Sequence, residues 1–176
     1  HIEIDPSEID KNVKTTVGIN ADARLTLEAL LPHIKNNKHT QWIEEFKECD
    51  RVEYEKVIKN QIDPKSDKLL MAEIIKKISD KTKGESVIVT DVGQHQMIAA
   101  RYYQFKRPNH LITSGGPGTM GFALPCSTGA QLGAEDQQVI AIIGDGGFQM
   151  TLQELGTISQ YQIPVKIVVL NNHFLG

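Results

Sequence analysis

One stretch constrains this chain more than any other: Gly144-Asp145-Gly146-Gly147, set between two apolar runs. The run before it, Val139-Ile-Ala-Ile-Ile143, is short and rich in β-branched residues, which predicts a buried parallel strand. After it, Phe148, Leu152, Leu155, Ile158 and Ser159 recur at helical spacing, so one helix is predicted. The second run, Val165-Lys-Ile-Val-Val-Leu170, ends at Asn171-Asn172. Strand, glycine turn, helix and strand form a βαβ unit. The separation of Asp145 and Asn172, 172 − 145 = 27 residues, suits one right-handed crossover. Ligands of open α/β sheets sit beyond the carboxyl ends of the strands. If the two strands are neighbours, both side chains point into one crevice.

The donor types in that pair are informative. Asp145 offers a hard anionic oxygen and Asn172 a neutral amide oxygen. Such donors suit Mg²⁺ or Ca²⁺ better than zinc. Mg²⁺ takes few protein ligands, and phosphate oxygens complete its shell. Gly146 and Gly147 let the backbone approach a phosphate, and the following helix aims free N–H groups at it. The local reading is a Mg²⁺–diphosphate site. A plain βαβ unit with a tight Asp-Gly turn would show the same dipeptide. The double Asn at the next strand end is what weighs against it.

From Ser86 onward the pattern is regular. Val87-Ile-Val-Thr90 is a predicted strand, followed by Asp91-Val-Gly-Gln-His95 and a helix to about Gln104. His110-Leu-Ile-Thr113 is the next, followed by Ser114-Gly-Gly-Pro-Gly118 and a helix to about Leu132. Alternating strands and helices predict an α/β fold with a parallel, helix-covered sheet. Every polar or glycine-rich word falls at a carboxyl end of a strand. A ligand crevice requires that one-sidedness.

The N-terminal part reads differently. His1–Pro6 and Thr15–Ile19 are short predicted strands, and Asn20 or Asp22 caps a helix over Ala23–Leu31. Leu25, Leu27, Ala29, Leu30 and Ile34 supply its apolar side. This unit is too small to fold well alone. The polar segment from Lys35 to Thr40 marks a boundary. A surface helix with alternating charge follows from Gln41 to about Lys59, and Asp63-Pro64 breaks it. An amphipathic helix over Lys68–Ile78 comes next, with Leu69, Leu70, Ile74, Ile75 and Ile78 on one side. The expected division is 1–35, a linker with a surface helix at 36–65, and a second domain at 66–176.

Composition excludes more than it identifies. A net charge of −3 gives no reason to expect nucleic acid or an anionic membrane as partner. Cys49 and Cys126 form neither a metal spacing nor a disulfide framework, so reduced thiols in a cytoplasmic protein are expected. No apolar run approaches the length of a membrane span. The chain does not begin with Met, and Gly176 closely follows a strand, so a piece of a longer protein is expected.

Gly144-Asp145-Gly146 followed by Asn171-Asn172 resembles the cofactor motif of the thiamine-diphosphate-dependent enzymes. Val92-Gly-Gln-His-Gln-Met97, Phe105-Lys-Arg-Pro108, Ser114-Gly-Gly-Pro-Gly-Thr-Met-Gly121 and Gly146-Gly-Phe-Gln-Met-Thr-Leu-Gln-Glu-Leu155 narrow the resemblance to the large, catalytic subunits of acetolactate (acetohydroxyacid) synthase. It covers residues 66 to 176 strongly and 1 to 34 less so. It implies the diphosphate-binding domain of the thiamine-diphosphate fold, incomplete here, preceded by the tail of an α/β middle domain. It also implies condensation of two pyruvates, or of pyruvate with 2-ketobutyrate, with loss of CO₂, in branched-chain amino-acid biosynthesis.

The resemblance assigns roles to residues. Gln94 and His95 would contact the diphosphate. The Gly118 carbonyl would accept from the aminopyrimidine, and Met120 would wedge between the two rings. Asp145, Asn172 and the backbone carbonyl of Phe174 would bind Mg²⁺, with Gly146 and Gly147 beside them. Implied partners are 2-keto acid substrates, further copies of the chain in a homo-oligomer and a regulatory small subunit. FAD is a further cofactor the full-length parent would accommodate. The family's pyrimidine-binding glutamate lies in a domain ahead of the middle domain. No catalytic residue is therefore assigned to this chain, and by itself it is expected to be inactive. Ile98, Pro117 and Cys126–Thr128 depart from the usual pattern, and Pro117 bears on the loop before Gly118. Pyruvate oxidase and glyoxylate carboligase are neighbouring readings within the class. A non-catalytic assembly or regulatory protein with a degenerate site is the rival outside it.

Overall fold

The structure, a computed structural model, describes residues 1–65 and 67–174. Ser66, the expected start of the second domain, and Leu175 and Gly176 at its expected end lie outside the described residues. The chain forms two compact units, residues 1–48 and 49–176.

In the first unit, β1 (Ile2–Glu3) pairs in parallel with β2 (Ile19–Asn20). The strand expected over Thr15–Ile19 is shorter than predicted. Asp10 Oδ1 accepts from both the backbone N–H and the hydroxyl of Thr15, and this local turn displaces the strand. Helix α1 (Ala23–Leu30) is capped by Asp22, whose carboxylate accepts from Leu25 N–H at 3.0 Å. Leu25, Leu27, Leu30 and Ile34, its expected apolar side, are all exposed. Two two-residue strands and one helix cannot enclose a core.

Helix α2 (Thr40–Glu53) continues through a wide turn, Tyr54–Ile58, into α3 (Lys59–Ile62). In that turn Lys59 N–H reaches back five residues to the Tyr54 carbonyl. The helical segment stops at Asp63, before Pro64, as the sequence predicts. The division between the units falls inside α2. Helix α4 (Met71–Thr82) begins later than the predicted Lys68, because Leu70 is extended. Leu69 is exposed as a result, and the helix buries Ala72, Ile75 and Ser79.

The second unit carries the predicted parallel sheet. Its strands are β3 (Val87–Thr90), β4 (Leu111–Ile112), β5 (Val139–Gly144) and β6 (Lys166–Leu170). Their spatial order is β4-β3-β5-β6, and every pairing is parallel. β5 and β6 are neighbours, with Gly144 opposite Leu170. Helix α5 (Gln94–Tyr102) follows β3, and α6 (Ala123–Gly133) follows β4.

Strand pleating distributes the core over two faces. Ile88, Ile140 and Ile142 pack with Ala72 and Ile75 of α4 and Ala99 and Tyr102 of α5. Val87, Val89, Val139, Ala141 and Ile143 pack with Ala123 and Leu124 of α6. Both faces are covered, so β3 is buried at every residue and β5 at all but its last.

The single helix predicted after Gly147 is in fact two: α7 (Asp145–Met150) and α8 (Glu154–Gln160). Thr151 leaves the helical conformation at φ −130°, and its hydroxyl donates to the Gly121 carbonyl at 3.0 Å. A tertiary hydrogen bond thus interrupts a continuous apolar periodicity.

Candidate functional site

The chain runs from β3 outward to β4, then returns past β3 to β5. The order reverses between β3 and β5, which is where an open α/β sheet forms its crevice. Two of the sequence words sit there. Asp91–His95 leaves the carboxyl end of β3, and Gly144–Gly147 leaves that of β5.

A cavity of about 330 Å³ occupies this place. Of the nine residues singled out from sequence, eight line it: Gln94, His95, Met120, Asp145, Gly146, Gly147, Asn172 and Phe174. The ninth, Gly118, is not on its wall. It sits at φ +58° in the loop that carries Met120, where its N–H donates to the Gly115 carbonyl.

Local structure explains how each group arrives. Gly93 precedes α5 with φ +141°, a conformation that side chains rarely allow, and so delivers Gln94 and His95 to the first turn of that helix. Asp145 opens α7 directly after β5. Asn172 follows β6 in a turn closed by its own Oδ1, which accepts from Phe174 N–H at 3.1 Å. Its Nδ2 faces Gln94 Oε1 at 3.5 Å, linking the loops after β6 and β3.

His95 is buried, and its Nε2 has no hydrogen-bond partner among the described residues. A buried polar atom of this kind calls for a partner beyond the protein, a ligand or a water. The ring lies against Gly144, where a Cβ would come within 3.0 Å of Cε1. Burial holds the imidazole below its usual pKa, while the carboxylates of Asp91 and Asp145 pull the other way. A neutral imidazole donates one N–H and accepts at the other nitrogen.

The cavity has two characters. Gln94, His95, Asp145 and Asn172 supply polar atoms, and Met71, Met120, Leu170 and Phe174 supply apolar surface. A ligand with an anionic group and an organic ring portion meets both. The polar donors suit a phosphate, and the carboxylate–amide pair suits a hard cation between phosphate and protein. Among the described residues no cluster of three His, Cys, Asp or Glu side chains is placed to hold a metal.

Sequence reasoning did not assign roles to Met71, Leu170 or Asp91. Met71 begins a helix outside every motif and carries no signal in sequence. Leu170 reads only as the last residue of a strand. Asp91 is fully buried, and its carboxylate accepts from Gly121 N–H at 3.1 Å and Phe122 N–H at 3.0 Å. A charged residue directly after a buried strand was the available signal.

Residues 91–176 match the model of the thiamine pyrophosphate enzyme family, C-terminal TPP binding domain. The whole chain is 44% identical to an acetolactate synthase large subunit of Lactococcus lactis. It is 39% identical to the acetolactate synthase isozyme 3 large subunit of Escherichia coli and 41% identical to the chloroplastic acetolactate synthase 1 of Nicotiana tabacum. The chain covers 30%, 31% and 26% of those three relatives, so it spans less than a third of each.

Proposed function

We propose that this chain, which carries the C-terminal TPP binding domain of the thiamine pyrophosphate enzymes over residues 91–176, holds the diphosphate half of a thiamine-diphosphate site in an acetolactate-forming enzyme. One observation carries the reading: residues from three separate strand ends, Gln94 and His95, Asp145, and Asn172, converge on one cavity at the reversal of strand order. The orphaned Nε2 of His95 and the two-sided character of the cavity fit the cofactor.

In this reading Asp145, Asn172 and the Phe174 carbonyl would hold Mg²⁺, which would screen the diphosphate charge. Gln94 and His95 donate to the diphosphate, and Gly146 and Gly147 admit it close to the backbone. Met120 stands against the organic rings, where a polarisable side chain suits a shaped apolar contact. Gly118 acts through its carbonyl toward the pyrimidine amine, from the loop beside the cavity. Bound thiamine diphosphate supplies the electron sink for decarboxylating a 2-keto acid. The protein's share is to orient that group, screen its charge and exclude water from the apolar wall.

The full-length protein then joins two pyruvates, or pyruvate and 2-ketobutyrate, with loss of CO₂. The glutamate that engages the pyrimidine comes from a domain of another copy, which makes a homo-oligomer part of the proposal. Residues 1–35 belong to a middle domain and 66–176 to the cofactor domain. A cytoplasmic location, a regulatory subunit and FAD in the full-length protein complete the proposal. No helix among the described residues is long and apolar enough to cross a membrane.

The test is product formation by the full-length protein. Acetolactate and CO₂ should appear from pyruvate, dependent on added thiamine diphosphate and Mg²⁺. No turnover with both present would overturn the assignment. A different product would favour pyruvate oxidase or glyoxylate carboligase.

A further inference from the structure

The peptide at Gly121 is held from both sides. Its N–H donates to Asp91 Oδ2 at 3.1 Å, and its carbonyl accepts from Thr151 Oγ1 at 3.0 Å. Asp91 also takes the next N–H, that of Phe122, at 3.0 Å. Gly121 has φ +83°, and a Cβ there would meet Thr151 Cγ2 at 3.0 Å and Met150 Cβ at 3.2 Å. Conformation and space both demand glycine at this point.

The clamp joins segments far apart in sequence. Asp91 leaves β3, and Thr151 stands in the break between α7 and α8. The residue directly before the clamped peptide is Met120, on the cavity wall. Farther back in the loop, Thr119 N–H donates to Ser114 Oγ at 2.9 Å, and Gln96 Nε2 donates to Thr113 Oγ1 at 2.6 Å. The loop between β4 and α6 is thus tied at its start and at its end, and Met120 lies beside the tie at its end. Asp91 is fully buried, so its two hydrogen bonds are shielded from bulk solvent.

We infer that Asp91 and Thr151 are positioning residues, which clamp the Gly121 peptide and thereby fix Met120 against the ring portion of the cavity's ligand. Neither residue is on the cavity wall; Thr151 acts through the loop, and Asp91 acts through the loop while also lying against Gly147. The inference rests on the proposed cofactor reading and adds to it the means by which the apolar wall is set.

Thiamine diphosphate and inorganic pyrophosphate separate this role from a general structural one. Both carry the diphosphate, and only the first carries the rings. Affinity for each, with Mg²⁺ present, is to be measured by calorimetry on the full-length protein and on its Asp91→Asn and Thr151→Val variants. Asp91→Asn keeps the shape but must present an NH₂ to one backbone N–H. It should weaken thiamine diphosphate about tenfold, as the loss of one buried hydrogen bond does, and weaken pyrophosphate less, the remaining loss coming from its place against Gly147. Thr151→Val should weaken thiamine diphosphate to a smaller degree and leave pyrophosphate unchanged, and it decides the matter if Asp91→Asn does not fold. Equal losses for both ligands, or no loss for either, would overturn the inference. Wild-type protein that bound neither ligand would instead overturn the cofactor reading, and this inference with it.

Discussion

Gly147 has no room for a side chain. A Cβ there would sit 1.7 Å from Asp91 Oδ2, and Asp91 is itself fixed by two backbone N–H groups. Gly147→Ala should therefore cost about 1–3 kcal/mol or more through overpacking, read as a lower denaturation midpoint. Unchanged stability would mean that the end of β3 and the start of α7 are less tightly apposed. Asn172→Ala tests a different property. It removes a neutral oxygen from the proposed metal site and frees Phe174 N–H. Thiamine diphosphate affinity of the full-length variant should fall about tenfold, the cost of a lost polar contact. Wild-type affinity would remove Asn172 from the site. The placement of Asp145 at the cavity was legible in the sequence because it stands at a strand end among glycines, and that of Asn172 because a double Asn ends the next strand. The contact between Gly147 and Asp91 was not, since nothing in the sequence brings their two loops together.

At the scale of elements, the sheet was the most legible part. β3 and β5 are covered on both faces, so their sequences are continuous β-branched runs, and such runs read directly as buried parallel strands. Ile142 on β5 is fully buried. Ile142→Ala should cost about 2–5 kcal/mol, and Val169→Ala on the partly exposed β6 should cost under about 1 kcal/mol, both measured by urea unfolding. Similar costs at the two positions would contradict β5 as the central strand of the core. The break between α7 and α8 was not legible. Its cause is a hydrogen bond from Thr151 to a carbonyl 30 residues away, and local periodicity has no access to such a partner. Strand order was also hidden, because a βαβ pattern states which strands are parallel and not which are adjacent.

At the scale of the whole molecule, this chain spans less than a third of the length of the relatives it matches, and several of its large apolar side chains are exposed. Trp42 and Phe46 on α2, and Leu25 and Leu27 on α1, are more than half exposed. The isolated 176-residue chain should make no acetolactate from pyruvate even with thiamine diphosphate and Mg²⁺, and it should self-associate with rising concentration in sedimentation experiments. Turnover above buffer would show that the site is complete within this chain. The central claim is that the cavity at the strand-order reversal binds diphosphate through a metal held by Asp145. Its most direct test is the affinity of the full-length protein for thiamine diphosphate as Mg²⁺ is titrated, wild type against Asp145→Asn. Removing the one carboxylate of the proposed metal set should shift the Mg²⁺ requirement upward by at least about tenfold and weaken cofactor binding at limiting metal more than Asn172→Ala does. Binding by Asp145→Asn equal to wild type at limiting Mg²⁺ would contradict the account.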